Sequence, residues 1–178
     1  MLRVFLITIG VVAVAAGGLV LYASATQPDT FRIQRSALIN APQETVHGIL
    51  SDLRRGAEWS PYEKKDPTMK KSFSGPATGP GAMMEWDGNN DIGAGKLTIA
   101  NATPSKITIN LDMIKPMAAS NVVEYDLAPQ GNATNLTWSM HGPMTIFSKV
   151  LCTFMNMDRM VGSDFEQGLR DLKALAER

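Results

Sequence analysis

The sequence predicts an α+β domain in which a seven-stranded antiparallel sheet has one apolar face covered by a long C-terminal helix. A separate apolar helix precedes it. Three observations carry this expectation. No charged residue stands between Arg3 and Asp29. From Met69 to Met140 apolar residues recur with period two, as in strands with one buried face. After Gly142-Pro143 the period returns to that of a helix and holds to the C-terminus.

Residues 4–23 form a run of about 20 apolar or small residues, and about 20 helical residues cross a hydrocarbon core about 30 Å thick. Tyr22 ends the run, where an amphipathic ring suits a membrane interface. Three readings are open. One is a retained membrane anchor. A second is a signal peptide cleaved after Ala23-Ser24-Ala25, which would leave a secreted or periplasmic protein. The third is a buried helix of the domain. The run exceeds the about 7–15 apolar residues usual in a signal, which favours the anchor. Arg3 and the amino terminus favour a cytoplasmic N-terminus and an extracytoplasmic domain. The expected organisation is therefore anchor or signal over 1–25, linker over 26–30 and domain over 31–178.

The domain begins with a strand over 31–39, with Phe31, Ile33, Arg35, Ala37 and Ile39 on one side. Asn40 is placed as the N-cap of the next helix, with Pro42 in its first turn. Val46, Ile49, Leu50 and Leu53 follow as one apolar stripe. Gly56 and Ser60-Pro61 interrupt the pattern and leave at most a second short helix over 53–59. Candidate strands cover 70–74, 82–87, 95–102, 106–114, 120–128 and 133–140, separated by Gly-, Pro- and Asn-rich turns. Connections this short join antiparallel neighbours. The expected core joins the Val46 stripe to Ile107, Ile109, Leu111, Val123, Tyr125, Leu127, Leu136 and Trp138. A short helix over 145–154 precedes the terminal one. In the terminal helix Val161, Phe165 and Leu169 face the sheet, and Gly168 leaves a gap for ligand access.

Composition narrows the function. The chain has 178 residues, with 17 Lys+Arg against 17 Asp+Glu, which argues against a nucleic-acid partner. Its one Cys excludes an intrachain disulfide and a thiol-rich metal site. His47 and His141 lie too far apart for a His-pair metal motif, so no metal ligand and no cofactor is assigned. Residues 88–96 superficially suggest a phosphate loop, but Asn90 and Leu97 stand where a P-loop needs Gly and Ser or Thr. A hairpin with glycines at positive φ fits better. Glu85, Asp87, Glu124 and Asp126 fall on the wet face by parity, and Cys152 reads as a buried hydrophobe. No catalytic set assembles.

Several segments carry a family resemblance: Ile39-Asn40-Ala41-Pro42 with Val46, Ser51-Asp52-Leu53, Trp59-Ser60-Pro61-Tyr62, Gly75-Pro76, Gly79, Gly81 and Trp86. It continues through Gly93-x-Gly95, Trp138-Ser139-Met140-x-Gly142, and Gly162-x-Asp164-Phe165-Glu166-x-Gly168-Leu169 with Leu172-Lys173. From residue 31 to the end the chain resembles the SRPBCC superfamily, the START-like and birch-pollen-allergen-like helix-grip proteins. Within it, the chain is most similar to the polyketide cyclase/dehydrase-like branch of membrane-anchored bacterial proteins. The resemblance implies a curved sheet gripping the C-terminal helix, with a hydrophobic cavity between them. It makes Trp59, Trp86, Tyr125, Trp138, Met140, Phe165 and Leu169 candidate ligand-binding residues, although such side chains also suit an ordinary core. Eleven Met residues, most in or beside the expected cavity walls, suit either a promiscuous apolar site or gap filling. The leading expectation is membrane-tethered binding of a hydrophobic small molecule or lipid. A cyclase- or hydrolase-like enzyme using the same cavity and a protein-interaction module are the alternatives.

Overall fold

In the computed structural model, which describes the backbone of residues 1–178 and every side chain except those of residues 2–6, each periodic segment becomes one element. The order is α1 (Leu2–Thr26), β1 (Thr30–Ile39), α2 (Gln43–Leu50), a 3-10 turn (Leu53–Arg55), α3 (Gly56–Trp59) and α4 (Pro61–Lys65). Then come β2 (Lys70–Ser74), β3 (Met83–Asp87), β4 (Ala94–Thr103), β5 (Lys106–Lys115), β6 (Ala119–Gln130) and β7 (Ala133–Pro143). Two helices close the chain, α5 (Ile146–Phe154) and α6 (Met157–Ala176). Internal contacts divide it into two units, Met1–Phe31 with Pro143–Met157, and Arg32–Gly142 with Asp158–Arg178.

The larger unit is built on the sheet, whose order is β1-β7-β6-β5-β4-β3-β2. Antiparallel register aligns inward residues across neighbouring strands: Ile107, Tyr125 and Trp138 form one row, and Ile109, Val123 and Met140 the next. A register shift between Ile99 and Asn101 adds a residue to β4 and bends it. Of the expected core, Leu111 alone is half-buried, and it borders a cavity. Ile39, Ile99, Ile107, Leu136, Phe165 and Leu172 are fully enclosed, each contributing about 1.5–3 kcal/mol by burial.

Ion pairs hold α6 across this unit. Arg35, an inward residue of β1, reaches Glu166 at 2.8 Å and Asp158 at 3.0 Å. Its guanidinium lies where a side chain at Gly162 would have to stand. The Arg35 hydrogen bond holds the Asp158 carboxyl below its ordinary value. On the other flank, Lys64 and Lys65 of α4 meet Asp171 and Asp164 at 2.7 and 2.6 Å. Exposed pairs of this kind add about 0–1 kcal/mol each, so they set the position of α6 more than its stability.

Several local expectations are corrected. Asn40 does not cap α2. Pro42 occupies the N-cap with no side-chain hydrogen bond, and the Asn40 N–H donates to Glu177 instead. Ser60-Pro61 does end α3 at Trp59, but Pro61 then opens a further short helix, α4, where its missing N–H costs nothing. In the β3–β4 hairpin Gly93 alone takes positive φ, at 64°. Gly88 and Gly95 are required for space: a side chain at Gly95 would meet the Trp86 ring at 2.6 Å.

The smaller unit contains α1 and α5, which pack against each other. The helix of α1 runs on to Thr26, and Ile7–Thr26 has a mean hydropathy of 2.0. Among the described residues it is the one helix long and apolar enough to cross a membrane. Lys149 of α5 is buried and bonds Asp29 at 2.6 Å, while the Met144 N–H donates to the Asp29 carbonyl at 2.8 Å. Cys152 is half-buried rather than buried, and that burial pushes its thiol pKa up.

Candidate functional site

A cavity of about 320 Å³ opens inside the larger unit. Strand alternation builds its floor: inward side chains at alternate positions supply Met84 and Trp86 from β3, Leu111 and Met113 from β5, Val123 and Tyr125 from β6, and Trp138 and Met140 from β7. The apolar stripe of α2 adds Ile49 and Leu50, and the segment that follows adds Leu53, Trp59 and Tyr62. Val161 and Phe165 of α6 face the same space, since residues four apart share one side of a helix.

Four rings form a continuous aromatic cluster on this wall. Trp138 stacks on Phe165 with centroids 4.1 Å apart and planes 11° from parallel. Trp59 packs edge-on against both Trp138 at 5.4 Å and Tyr125 at 6.3 Å, and Tyr125 lies 5.5 Å from Trp138. Such pairs contribute about 0.5–1.5 kcal/mol each beyond burial, so the wall is rigid as well as apolar. Trp86 stands apart from the cluster, over Gly95, with its indole N–H donated to the Ile92 carbonyl at 3.3 Å.

Besides Ser60 and Asn121, two contrasting sets of polar side chains line the wall. Asp52 accepts the Arg54 N–H at 2.9 Å, Glu63 pairs with Lys71 at 2.6 Å, and Asp91 is exposed. These carboxylates are engaged or solvated. By contrast, among the described residues the hydroxyls of Tyr62 and Tyr125 bond no protein group, and the buried Trp138 indole N–H also lacks an acceptor. Burial pushes both tyrosine pKa values up, with the charge of Asp164 adding to the effect at Tyr62. Both phenols are therefore protonated donors at neutral pH.

Of the candidate ligand-binding residues, Trp59, Trp86, Tyr125, Trp138, Met140 and Phe165 stand on this cavity wall. Leu169 does not: it is buried behind Phe165's turn of the helix. The expected gap at Gly168 is filled, because a side chain there would meet Trp138 at 2.6 Å and Pro61 at 3.0 Å. Of the methionines, Met69, Met84, Met113 and Met140 reach the cavity, whereas Met117, Met155 and Met160 are exposed. Leu111 and Val123, expected in the core, also line the cavity, as does Tyr62, which was not among the candidate ligand-binding residues. Parity with Tyr125 was the available signal for Val123, and nothing local marked Tyr62 beyond its place after Trp59-Ser60-Pro61. His47 and His141 are not on the wall; His141 lies 3.6 Å from Glu124. Among the described residues no group of His, Cys, Asp and Glu could hold a metal ion.

Comparisons with known proteins agree with this architecture. Residues 30–177 match the family described as polyketide cyclase/dehydrase and lipid transport. Protein CV1439 of Chromobacterium violaceum superposes with a TM-score of 0.59 at 19% identity, over 85% of this chain and 99% of that one. The major latex-like protein 151 of Panax ginseng gives 0.58 at 13% identity, over 85% and 100%. The di-domain ARO/CYC StfQ from the steffimycin biosynthetic pathway gives 0.59 at 11% identity, over 83% of this chain and 51% of that one. At these identities the likeness is one of fold, the helix-grip fold. A search of curated proteins found no matching sequence. With the family profile covering all but the N-terminal helix, the chain belongs to the polyketide cyclase/dehydrase and lipid transport family.

Proposed function

We propose that residues 31–178 bind one hydrophobic small molecule in the cavity of the larger unit, and that α1 is a retained anchor holding the domain at the extracytoplasmic face of a membrane. One observation carries the binding reading: an apolar, aromatic-walled cavity is lined by two tyrosines whose hydroxyls bond no protein group among the described residues. Ligand sites characteristically combine an apolar lining with a few convergent polar groups. The volume of about 320 Å³ lies at the lower end of the about 300–1,000 Å³ typical of such sites. It suits a single ring system or a short isoprenoid chain better than a two-chain lipid. The hydroxyls favour a ligand bearing a carbonyl, ether or hydroxyl oxygen, because each phenol can donate to such an acceptor.

Binding is favoured over catalysis by the state of the wall's ionisable groups. Asp52 already accepts the Arg54 backbone N–H, Glu63 is paired with Lys71, Asp91 is exposed to solvent, and among the described residues no histidine lines the cavity. Titration with a naphthalene-type fluorescent probe tests the reading. The full chain should bind it saturably at one site, and Leu111→Trp, which fills the floor of the cavity, should abolish binding while the circular dichroism spectrum is retained. Absence of saturable binding to the wild type, or equal binding by a folded Leu111→Trp, would sink the reading.

A further inference from the structure

Within the smaller unit, α5 presents a face that none of the described side chains covers. Phe147, Leu151 and Phe154 recur at i, i+4 and i+7, so they share one side of the helix. They are 55%, 42% and 71% exposed. Isolated apolar side chains on a surface are ordinary, but two phenylalanines and a leucine on one side of a nine-residue helix form a contiguous patch of the kind that marks an interaction site. The opposite side carries the helix's one charge, Lys149, whose side chain is 9% exposed and bonded to Asp29. The direction of α5 is therefore fixed from behind, with its apolar side turned outward.

Its position identifies what that side meets. Asp29 stands three residues beyond the end of α1; it holds α5 through the Lys149 ammonium at 2.6 Å and the segment leading into α5 through its carbonyl, which accepts the Met144 N–H at 2.8 Å. The helix so held packs against α1. If α1 crosses a bilayer, Asp29 lies at the level where the span leaves the hydrocarbon, and α5 begins at that level alongside it. A short amphipathic helix with aromatic side chains on one face is the form that beds into the headgroup–acyl boundary. We infer that α5 is a second membrane contact, a helix lying in the bilayer interface with Phe147, Leu151 and Phe154 inserted among the lipids beside the anchor. This rests on the reading of α1 as a membrane span.

The test uses the full chain carrying Cys152→Ser, reconstituted in phosphatidylcholine/phosphatidylglycerol vesicles and spin-labelled at single sites. Labels enter at Phe147→Cys and Phe154→Cys, with Val12→Cys as the reference for the span and Asn132→Cys, in the β6–β7 turn, as the aqueous reference. All four positions are exposed, so labelling leaves the core untouched. The inference expects the labels at 147 and 154 to collide with oxygen and to lose collisions with an aqueous nickel chelate several-fold relative to 132. Labels at 147 and 154 that respond to nickel like 132, while 12 is lipid-protected, would overturn the inference and leave the anchor standing. Shielding of 147 and 154 from both reagents would replace lipid with a protein contact and overturn it equally. Nickel access at 12 as well would remove the anchor itself, and this inference with it.

Discussion

Trp138 shows how single residues join the fold to the site. Its ring stacks on Phe165 and fills the space above Gly168, so the helix and the cavity wall are fixed by the same side chain. Gly168 is therefore a packing requirement, although its place on the stripe suggested an opening. Gly168→Leu should lower stability by about 1–3 kcal/mol, the usual cost of overpacking, even though leucine is the better helix former. Urea denaturation measures this directly. Tyr125 makes the opposite case. Its ring is part of the cluster, but its hydroxyl bonds no protein group, so Tyr125→Phe should change stability by less than about 1 kcal/mol. The same substitution should weaken binding of 1-naphthol several-fold and leave naphthalene binding unchanged, as followed by fluorescence titration. Neither role was legible from composition: a Trp or Tyr at an inward strand position reads the same whether its polar atom is satisfied or waiting for a ligand.

Among the elements, the strands were the most legible because period two leaves little freedom. Ile107, Tyr125 and Trp138 had to share a face once their strands were adjacent, and the register puts them in one row. The distinction between filled and hollow core was not legible, since Leu136 and Leu111 have identical sequence surroundings by pattern. Leu136 is fully buried and Leu111 borders the cavity. Leu136→Ala should cost about 2–5 kcal/mol, whereas Leu111→Ala merely enlarges a space already present and should cost less than half as much. The bulge in β4 and the reach of Arg35 to α6 were also hidden, because each depends on a partner distant in sequence. On the outer face of the sheet, Glu124 is held by Lys106 at 2.6 Å, with Arg32 and His141 each 3.6 Å away. The Lys106 hydrogen bond, which outweighs the opposing effect of burial, lowers the Glu124 pKa. A carboxyl whose folded pKa is depressed stabilises above its ordinary value, near about 4.3, and that contribution is lost as pH falls through the lower folded value. The difference in thermal midpoint between wild type and Glu124→Gln should therefore be present at pH 6 and shrink toward zero below about pH 4.

At the scale of the molecule, an apolar helix is joined to a helix-grip domain whose interior is hollow. The N-terminal helix was plain in the sequence, because 20 residues without a charge and with a mean hydropathy of 2.0 leave a short list of readings. The outward face of α5 was not, since an alternation of apolar and polar residues looks the same whether the apolar side meets a core or a lipid. Whether the cavity holds an oxygen-bearing hydrophobic molecule, as proposed, can be read by native mass spectrometry of the full chain, extracted in mild detergent from the membranes of its own host. The expected result is a mass excess corresponding to one small organic molecule, released on unfolding and absent from Leu111→Trp. A bare polypeptide mass in the wild type, or the same adduct retained by a folded Leu111→Trp, would contradict it.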